Sequence, residues 1–284
     1  MIQVLVDIQR AIDLLMRPFD ALGPAWGVLA SSVAVTALGL VVYKFTSNQD
    51  GIKRAKDRIK GHFFEVWLYL DDLRLIARAQ GGIFKEGGRY LAYALVPLLV
   101  MLAPVLLILV NLEFRYDYRP FQPGEEFLLK VRLKGFAESQ LNNLALELPP
   151  GLEVAAGPVR IAEHNPDTRT ALIESAWRLR VKQTGALPLG FKLGNEKITE
   201  QTLFADLSGR PRLDPVRPSG LWPSLWHPPL QPLPDQSAPI QEISVAYPRA
   251  DISFFGWKAW WVWPFLAVMF VAAFLLRGLI GVEF

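Results

Sequence analysis

Three long apolar runs constrain what this chain can fold into more than any other feature of the sequence. They cover residues 26–43, 90–112 and 257–276, and their lengths are near or above the roughly 20 residues that a membrane-spanning helix needs. Hydrophobic residues make up 51% of the 284-residue chain and charged residues 20%, and the apolar excess is concentrated in these runs. The sequence therefore predicts an integral membrane protein with three transmembrane helices.

Aromatic residues mark the ends of these runs. The first run begins at Trp26 and ends at Tyr43. Four tryptophans crowd the start of the third: Trp257, Trp260, Trp261 and Trp263. Tryptophan and tyrosine are enriched where a spanning helix meets the membrane surface, so their placement supports the predicted spans. The second run contains Pro97 and Pro104, which a spanning helix tolerates when neighbouring groups satisfy the freed carbonyls.

A basic segment at residues 44–89 separates the first two runs and gives the predicted orientation. It holds ten Lys or Arg residues against six acidic residues. An excess of Lys and Arg beside a span marks the cytoplasmic side, which predicts an N-terminus outside and a C-terminus in the cytoplasm. We expect no cleavable signal peptide, because Asp7 and Asp13 interrupt the apolar character of the N-terminus.

Within 44–89 the pattern predicts a helical hairpin. Its apolar residues recur at spacings of three and four: Ile52, Ala55, Ile59, Phe63, Val66 and Leu70. Asp72 is placed to cap a second helix, which Gly81 and Gly82 are expected to end. Five basic residues lie largely off the apolar stripe and are candidate contacts for lipid or a client protein: Lys53, Arg54, Lys56, Arg58 and Lys60. The alternative interpretation is a solvated connection with no binding role.

Residues 1–25 predict an amphipathic helix outside the membrane. The apolar residues at helical spacing are Ile2, Leu5, Ile8, Ile12, Leu15, Met16 and Phe19. Two interpretations stay open for this face. It can lie on the membrane surface, or it can pack against the protein's own external domain.

Residues 113–250 predict a domain of another kind, because the apolar period falls to about two. The candidate strands are 127–133, 144–148, 159–161, 172–181, 187–193, 198–204 and 243–247. Short strands separated by turn residues predict an extracytoplasmic all-β, antiparallel sandwich. Nine prolines interrupt it at 211–239, a segment that cannot form a regular helix or a central strand. Its Trp222 and Trp226 either wrap the segment onto the sandwich or contact a partner.

The sequence offers no catalytic or cofactor-binding constellation. It has no cysteine, and its three histidines fall in three separate segments: His62, His164 and His227. None of them has a metal-ligand companion at a usual spacing, and phosphate-binding and hydrolase motifs are missing. The net charge of +3 is modest and its basic residues cluster beside a span, so direct nucleic-acid binding is not expected. We therefore predict a protein that is not an enzyme and has no cofactor or metal.

The order of features in the first 112 residues resembles the YidC-like membrane insertase superfamily. An external helix leads into a span that begins at residues 23–27, followed by a basic hairpin and a proline-containing span. The archaeal three-span relatives and the insertase subunit of the ER membrane complex share this layout. The resemblance implies a hydrophilic groove, open to cytoplasm and lipid, through which short client spans enter the bilayer.

The sequence departs from that family in two ways. Its spans lack the buried arginine on which bacterial insertases centre the groove, and Arg277, at the end of the third run, is the one candidate for this position. The sandwich also lies between the second and third spans, where the small relatives have a short loop. No residue role is therefore carried over from the family.

Two functional hypotheses follow from the sequence, for a multi-pass protein that we place in a bacterial inner membrane. The first is an insertase-like factor for membrane-protein insertion or assembly, whose partners are lipid and nascent membrane proteins. The second is an accessory or scaffold subunit that binds a protein partner outside through its sandwich, at Trp222 and Trp226. A transmembrane sensor is a third class, although the cytoplasmic part contains no recognisable output domain.

Overall fold

The computed structural model describes residues 2–20, 23–134, 144–164, 171–194, 196–206, 211–233 and 240–282. The chain divides into two compact units. The β unit combines Met1–Val28 with Ile108–Trp261, and the helical unit combines Leu29–Leu107 with Val262–Phe284.

Six helices lie within the described residues. They are α1 (Ile2–Asp20), α2 (Pro24–Thr46), α3 (Gln49–Leu68), α4 (Leu73–Tyr116), α5 (Leu221–Trp226) and α6 (Val262–Ile280). By length and composition, α2, α4 and α6 are long and apolar enough to cross a membrane. This agrees with the three spans that the apolar runs predict.

Helix α3 and the first part of α4 form the predicted hairpin, and side-chain caps start both helices. Asn48 accepts a hydrogen bond from the Gly51 amide at 2.9 Å at the start of α3. Asp72 accepts from the amides of Arg74 and Leu75, at 2.8 and 3.3 Å, at the start of α4. Unpaired amides at a helix start are stabilised by such side-chain oxygens, so the predicted cap at Asp72 is confirmed.

The predicted helix end at Gly81 and Gly82 is wrong. Helix α4 continues without interruption through both glycines into the second apolar run and ends at Tyr116. Gly82 serves close packing instead, because a Cβ atom there would lie 2.5 Å from Nε2 of His62. Glycine costs a helix only about 1 kcal/mol relative to alanine, which the surrounding helix formers can offset.

The β unit contains ten strands within the part of the chain that the structure describes. They are β1 (Glu126–Lys134), β2 (Leu144–Glu147), β3 (Leu152–His164), β4 (Ala171–Val181), β5 (Gly185–Leu193), β6 (Glu196–Ala205), β7 (Val216–Pro218), β8 (Ile240–Val245), β9 (Ile252–Phe254) and β10 (Trp257–Ala259). One sheet has five strands in the order β3-β4-β1-β8-β7, and a second has three in the order β2-β5-β6. Their ladders are antiparallel, as the sequence predicts.

The two sheets share one hydrophobic core, the arrangement expected of a sandwich. In β1, every second side chain is buried, from Phe127 to Leu133. In β4, Trp177 and Leu179 are buried while Arg178 between them is exposed, which confirms the face assignment made from the sequence. Buried residues of β5 and β6 belong to the same cluster as those of β1 and β4. Alternating burial therefore fixes the register, because a slip of one residue would expose the apolar face.

The third apolar run does not begin as a helix at Trp257. Residues 257–259 form β10, which pairs with β9 through a tight hairpin. Phe255 and Gly256 at its turn both have positive φ, 51° and 91°, which suits a two-residue β-turn. This β-hairpin contains the first residues of the third apolar run, so α6 begins only at Val262.

The proline-rich segment forms two short regular elements, although the sequence predicts neither helix nor central strand there. Within its described part, 211–233, β7 lies at the sheet edge, where a strand tolerates proline. Helix α5 has six residues and places Pro223 in its first turn, where the missing amide costs no helical hydrogen bond. The prediction of no central strand is therefore confirmed for these residues, and that of no helix is wrong.

Helix α1 belongs to the β unit and packs on it through a face that is partly polar. Leu5 and Val6 are buried there, and so are Gln9 and Asp13. Ile8 and Leu15, which the apolar pattern places on the buried face, are exposed instead. Packing against the protein's own domain is thus the interpretation that the structure supports, with the helix turned so that polar groups face inward.

Candidate functional site

The five basic residues predicted as contacts lie on α3 in the helical unit. Lys53, Arg54, Arg58 and Lys60 are exposed and Lys56 is half-buried. Arg58 lies 3.5 Å from Glu86 of α4, and Arg89 donates to the same carboxylate at 2.6 Å. These contacts surround a small polar cavity of about 260 Å³. Arg58 is therefore partly engaged within the hairpin, while Lys53 and Lys60 present their charges outward.

The far end of the hairpin exposes a group of large apolar side chains, which we call the hairpin tip. The predicted stripe is buried only at its start, where Ile52 and Ala55 are covered. From Phe63 onward it opens to solvent, and Trp67 is 75% exposed. The residues of the tip are Phe63, Phe64, Trp67, Leu68, Leu70 and Leu73. Large contiguous apolar surfaces of this kind mark places where a protein binds another molecule.

An apolar cleft of about 350 Å³ lies among the three candidate spans. Helix α2 contributes Gly39, α4 contributes Met101 and α6 contributes Ala273 to its wall. Thr36 also lines it, but its hydroxyl donates to the Ser32 carbonyl at 2.7 Å within α2. The cleft therefore offers an apolar wall rather than the hydrophilic groove that the family resemblance implies.

Arg277, the candidate groove residue, does not line this cleft. Its side chain is exposed near the end of α6, and its guanidinium lies 5.1 Å from the centre of the Phe274 ring. A groove role for Arg277 therefore stays a prediction that this cleft does not support.

Deeply buried arginines occur in the β unit instead, at a polar cluster around α1. Arg115, near the end of α4, is 1% exposed and forms an ion pair with Asp13 of α1. Arg115 also donates to the Asp13 carbonyl at 3.4 Å. Asn111, one helical turn earlier, donates to Oε1 of Gln9 at 3.1 Å. Helix α1 is thus held to α4 by polar contacts that are shielded from solvent.

Arg212 extends this cluster into the proline-rich segment. It donates to Oε1 of Gln9 at 3.1 Å and to the Pro228 carbonyl, and its Nε lies 3.2 Å from Asp214. Its guanidinium also lies 5.1 Å from the centre of the Phe114 ring. Burial lowers the pKa of Arg212, since a charged group loses hydration there. Hydrogen bonds, an ion pair and an aromatic face together stabilise the buried charge.

A cavity of about 420 Å³ opens beside these arginines, and we call it the arginine cavity. Helix α1, the end of α4, β6 and the proline-rich segment all contribute to its wall. Arg217 from β7 lines it as well, and burial lowers the pKa of its guanidinium. No local pattern in the sequence indicates this cavity, although Asp13 and Arg115 are charged residues beside strongly apolar stretches.

The two tryptophans predicted as partner contacts are both exposed. Trp222 is 76% and Trp226 68% exposed on helix α5. The proline-rich segment does wrap onto the β unit, but it does so through buried Leu213 and Leu233. The interpretation that the tryptophans attach the segment is therefore wrong, and they remain available to a partner.

The histidines have ordinary structural surroundings where their side chains are described. His62 makes a hydrogen bond with Glu65 at 2.8 Å, and the ring of His227 stacks on Phe114 at 6.3 Å. His164 is the last residue of strand β3. Among the described residues, no group of His, Asp and Glu side chains is arranged to hold a metal ion.

Comparison with known proteins adds no relative to this description. No protein-family model, curated protein or solved structure matches the chain.

Proposed function

We propose that this chain is a non-enzymatic factor that assists the insertion or assembly of membrane proteins. The observation that carries the proposal is the hairpin tip, an apolar surface at the end of a helical hairpin with basic flanks. In the proposed topology the hairpin is cytoplasmic, the β unit is external, and the membrane is the inner membrane of a bacterium.

A polypeptide is the occupant that best explains the hairpin tip. Leu73 lies about 25 Å along α4 from residue 90, where the second apolar run begins, at 1.5 Å of rise per residue. In the proposed topology this distance puts the tip outside the hydrocarbon layer, so the proposal assigns the tip to a polypeptide rather than to lipid tails. Trp67, Leu68 and Leu73 are each more than two-thirds exposed, and covering such surface is favourable by about 25 cal/mol per Å². An apolar segment of a client protein would provide that cover.

The basic residues of α3 add positive charge to the helix that carries most of the hairpin tip. Lys53 and Lys60 are both exposed on α3, and Lys60 precedes the tip residue Phe63 by one helical turn. Positive charge raises the rate at which negatively charged partners meet a surface, and it favours acidic flanks of a client segment or anionic lipid headgroups. The hairpin therefore combines a long-range attraction with a short-range apolar contact.

The cleft among the candidate spans offers a second contact for the same client. Helices α4 and α6 leave most of their apolar surface uncovered, since only 11% of the apolar window of each is buried. Small residues such as Gly39 and Ala273 in the cleft wall permit a close approach by another helix. A client helix leaving the hairpin tip would find a complementary apolar wall here.

Site-specific photo-crosslinking in cells tests the proposal. Photoreactive amino acids are placed at position 64 of the tip, position 98 of the cleft and position 222 of α5. We expect many short-lived nascent membrane proteins at positions 64 and 98. Adducts with a second copy of this chain alone, or with lipid alone, at both positions would contradict the proposal.

Charge reversal on α3 is expected to reduce client crosslinking at position 64 by at least tenfold. The variant carries Lys53→Glu, Arg54→Glu, Lys56→Glu and Lys60→Glu, and it leaves Arg58 unchanged because Arg58 pairs with Glu86. The side chains are at least partly exposed, so the thermal stability should stay close to that of the unchanged chain. Undiminished crosslinking in a stable variant would show that these charges do not recruit clients.

The exposed tryptophans favour a second candidate, an accessory subunit that binds a fixed partner through the β unit. Trp222 and Trp226 lie on one short helix and are both largely exposed, and tryptophan is enriched at the centres of protein interfaces. If this function is correct, affinity purification yields one stoichiometric partner, and the variant Trp222→Ala/Trp226→Ala loses it. A single abundant adduct at position 222, with none at positions 64 and 98, would favour this candidate over the first.

A further inference from the structure

The arginine cavity carries more positive charge than its own carboxylates balance. Its lining includes four arginines and two aspartates. They are Arg17, Arg115, Arg212, Arg217, Asp13 and Asp214. Among the described residues of the cavity wall, two positive charges therefore lack a matching negative charge.

Each of the two aspartates already forms an ion pair with an arginine of the cavity wall. Asp13 forms the buried ion pair with Arg115 and lies 3.5 Å from Nε of Arg17. Asp214 lies 3.2 Å from Nε of Arg212 and also accepts a hydrogen bond from the Leu230 amide at 3.0 Å. Each carboxylate thus has a guanidinium and at least one further group around it.

Arg217 is a buried arginine whose hydrogen bonds, among the described residues, go to neutral carbonyls, while the carboxylate of Asp214 also acts on it electrostatically. Its side chain is 3% exposed, and it donates to the Gln231 carbonyl at 3.0 Å and to the Glu200 carbonyl at 2.8 Å. Carbonyl oxygens satisfy hydrogen-bond donors but bring no net charge. A buried cation is stabilised far better by an anion, and the planar fork of a guanidinium fits phosphate and carboxylate groups.

We propose that the arginine cavity binds an organic anion that carries a phosphate group. The volume of about 420 Å³ is too large for a bare inorganic ion and lies in the range of small-molecule sites. Backbone carbonyls hold the guanidinium groups of Arg217 and Arg212, and Asp214 also holds that of Arg212. Both groups are therefore oriented before a ligand binds. Two guanidiniums at fixed positions suit the several oxygens of one phosphate group better than the two of a carboxylate.

The phosphate group can come from a soluble ester or from a lipid headgroup. Arg17 stands at the cavity with its side chain 67% exposed, so it provides a cationic entrance for either source. The shared chemistry is a phosphate ester reached by Arg17, Arg212 and Arg217. The inference concerns the β unit and does not depend on the function proposed for the hairpin tip.

The test measures both sources on the purified full chain in phospholipid-free detergent. Glycerol phosphate is titrated by calorimetry, and phosphatidylglycerol retained in mixed micelles is counted by native mass spectrometry. We expect one of the two to bind with one molecule per chain, and Arg217→Gln to weaken that binding at least tenfold. Binding of glycerol phosphate identifies a soluble ester as the ligand class, and retention of phosphatidylglycerol alone identifies a lipid.

Two further variants keep the test decisive. Arg180→Gln removes an exposed arginine that pairs with Glu126 on the outside of the sandwich, and it should leave binding unchanged. Arg17→Gln removes the exposed entrance charge without disturbing the core, and it should weaken binding about threefold even if Arg217→Gln fails to fold. The proposal is overturned if neither ligand binds the unchanged chain. It is also overturned if Arg17→Gln, or a folded Arg217→Gln, binds as tightly as the unchanged chain.

Discussion

Replacing Asp13 by alanine is expected to lower the free energy of unfolding of the β unit by about 3–5 kcal/mol. The substitution removes the carboxylate that forms the ion pair with Arg115, an arginine that is 1% exposed and therefore shielded from water. Breaking a buried ion pair from one side costs more than the pair contributes, because the remaining charge has lost its water and gains no substitute. Urea unfolding of the detergent-solubilised chain, followed by circular dichroism of the β-strands, measures the effect.

A matched control lies on the same helix. Asp7 is exposed and lies 3.6 Å from Arg10, so Asp7→Ala removes an ion pair that solvent already screens. We expect a change below about 0.5 kcal/mol for this variant. The double variant Asp13→Leu/Arg115→Met should recover much of the lost stability, since an apolar pair needs no hydration. Equal effects of Asp7→Ala and Asp13→Ala would contradict the burial of the Asp13–Arg115 pair.

Removing the apolar side chains of the hairpin tip is expected to abolish client crosslinking without unfolding the protein. The variant is Phe64→Ser/Trp67→Ser/Leu68→Ser, whose three side chains are each at least 67% exposed. Exposed residues contribute little to folding, so the melting temperature should change by only a few degrees. The same residues would bury most of their surface against a client, so their loss should reduce adducts at position 98 by more than tenfold.

Two exposed residues of β3 provide the control for this variant. Val159 and Ile161 are 60% and 57% exposed, and the pair Val159→Ser/Ile161→Ser removes apolar surface of the same kind from the β unit. Crosslinking at position 98 should persist in that variant. If the tip variant keeps its adducts, or if both variants lose them equally, the hairpin tip is not the surface that receives clients.

Local patterns predicted most of the elements of this fold. The period-two alternation of β1 and β4 depends only on neighbouring residues, and the structure buries the predicted faces. The cap at Asp72 is local in the same sense, since its carboxylate reaches amides two and three residues ahead. The error at Gly81 and Gly82 has a non-local cause, because Gly82 packs against His62 of the other hairpin helix.

The buried polar cluster could not be predicted, because its members are far apart in sequence. Gln9 contacts both Asn111 and Arg212, which lie 102 and 203 residues away. Asp13 and Gln9 look like the solvent side of an amphipathic helix, and only the packing of α1 turns them inward. The candidate hairpin residues could be named from sequence because they form one continuous helix, whereas the arginine cavity draws on four separate segments.

The pairing of β1 with β8 means that the five-stranded sheet is completed late in the synthesis of this protein. Strand β1 pairs with β4 on one side, but its other neighbour arrives only when Val245 has been made opposite Leu129. At about 5–20 residues per second, the central strand waits on the order of ten seconds with one edge unpaired. Helix α6 follows soon after β8, beginning at Val262. Closure of the sandwich and emergence of the third candidate span are therefore nearly simultaneous events in the life of a new chain.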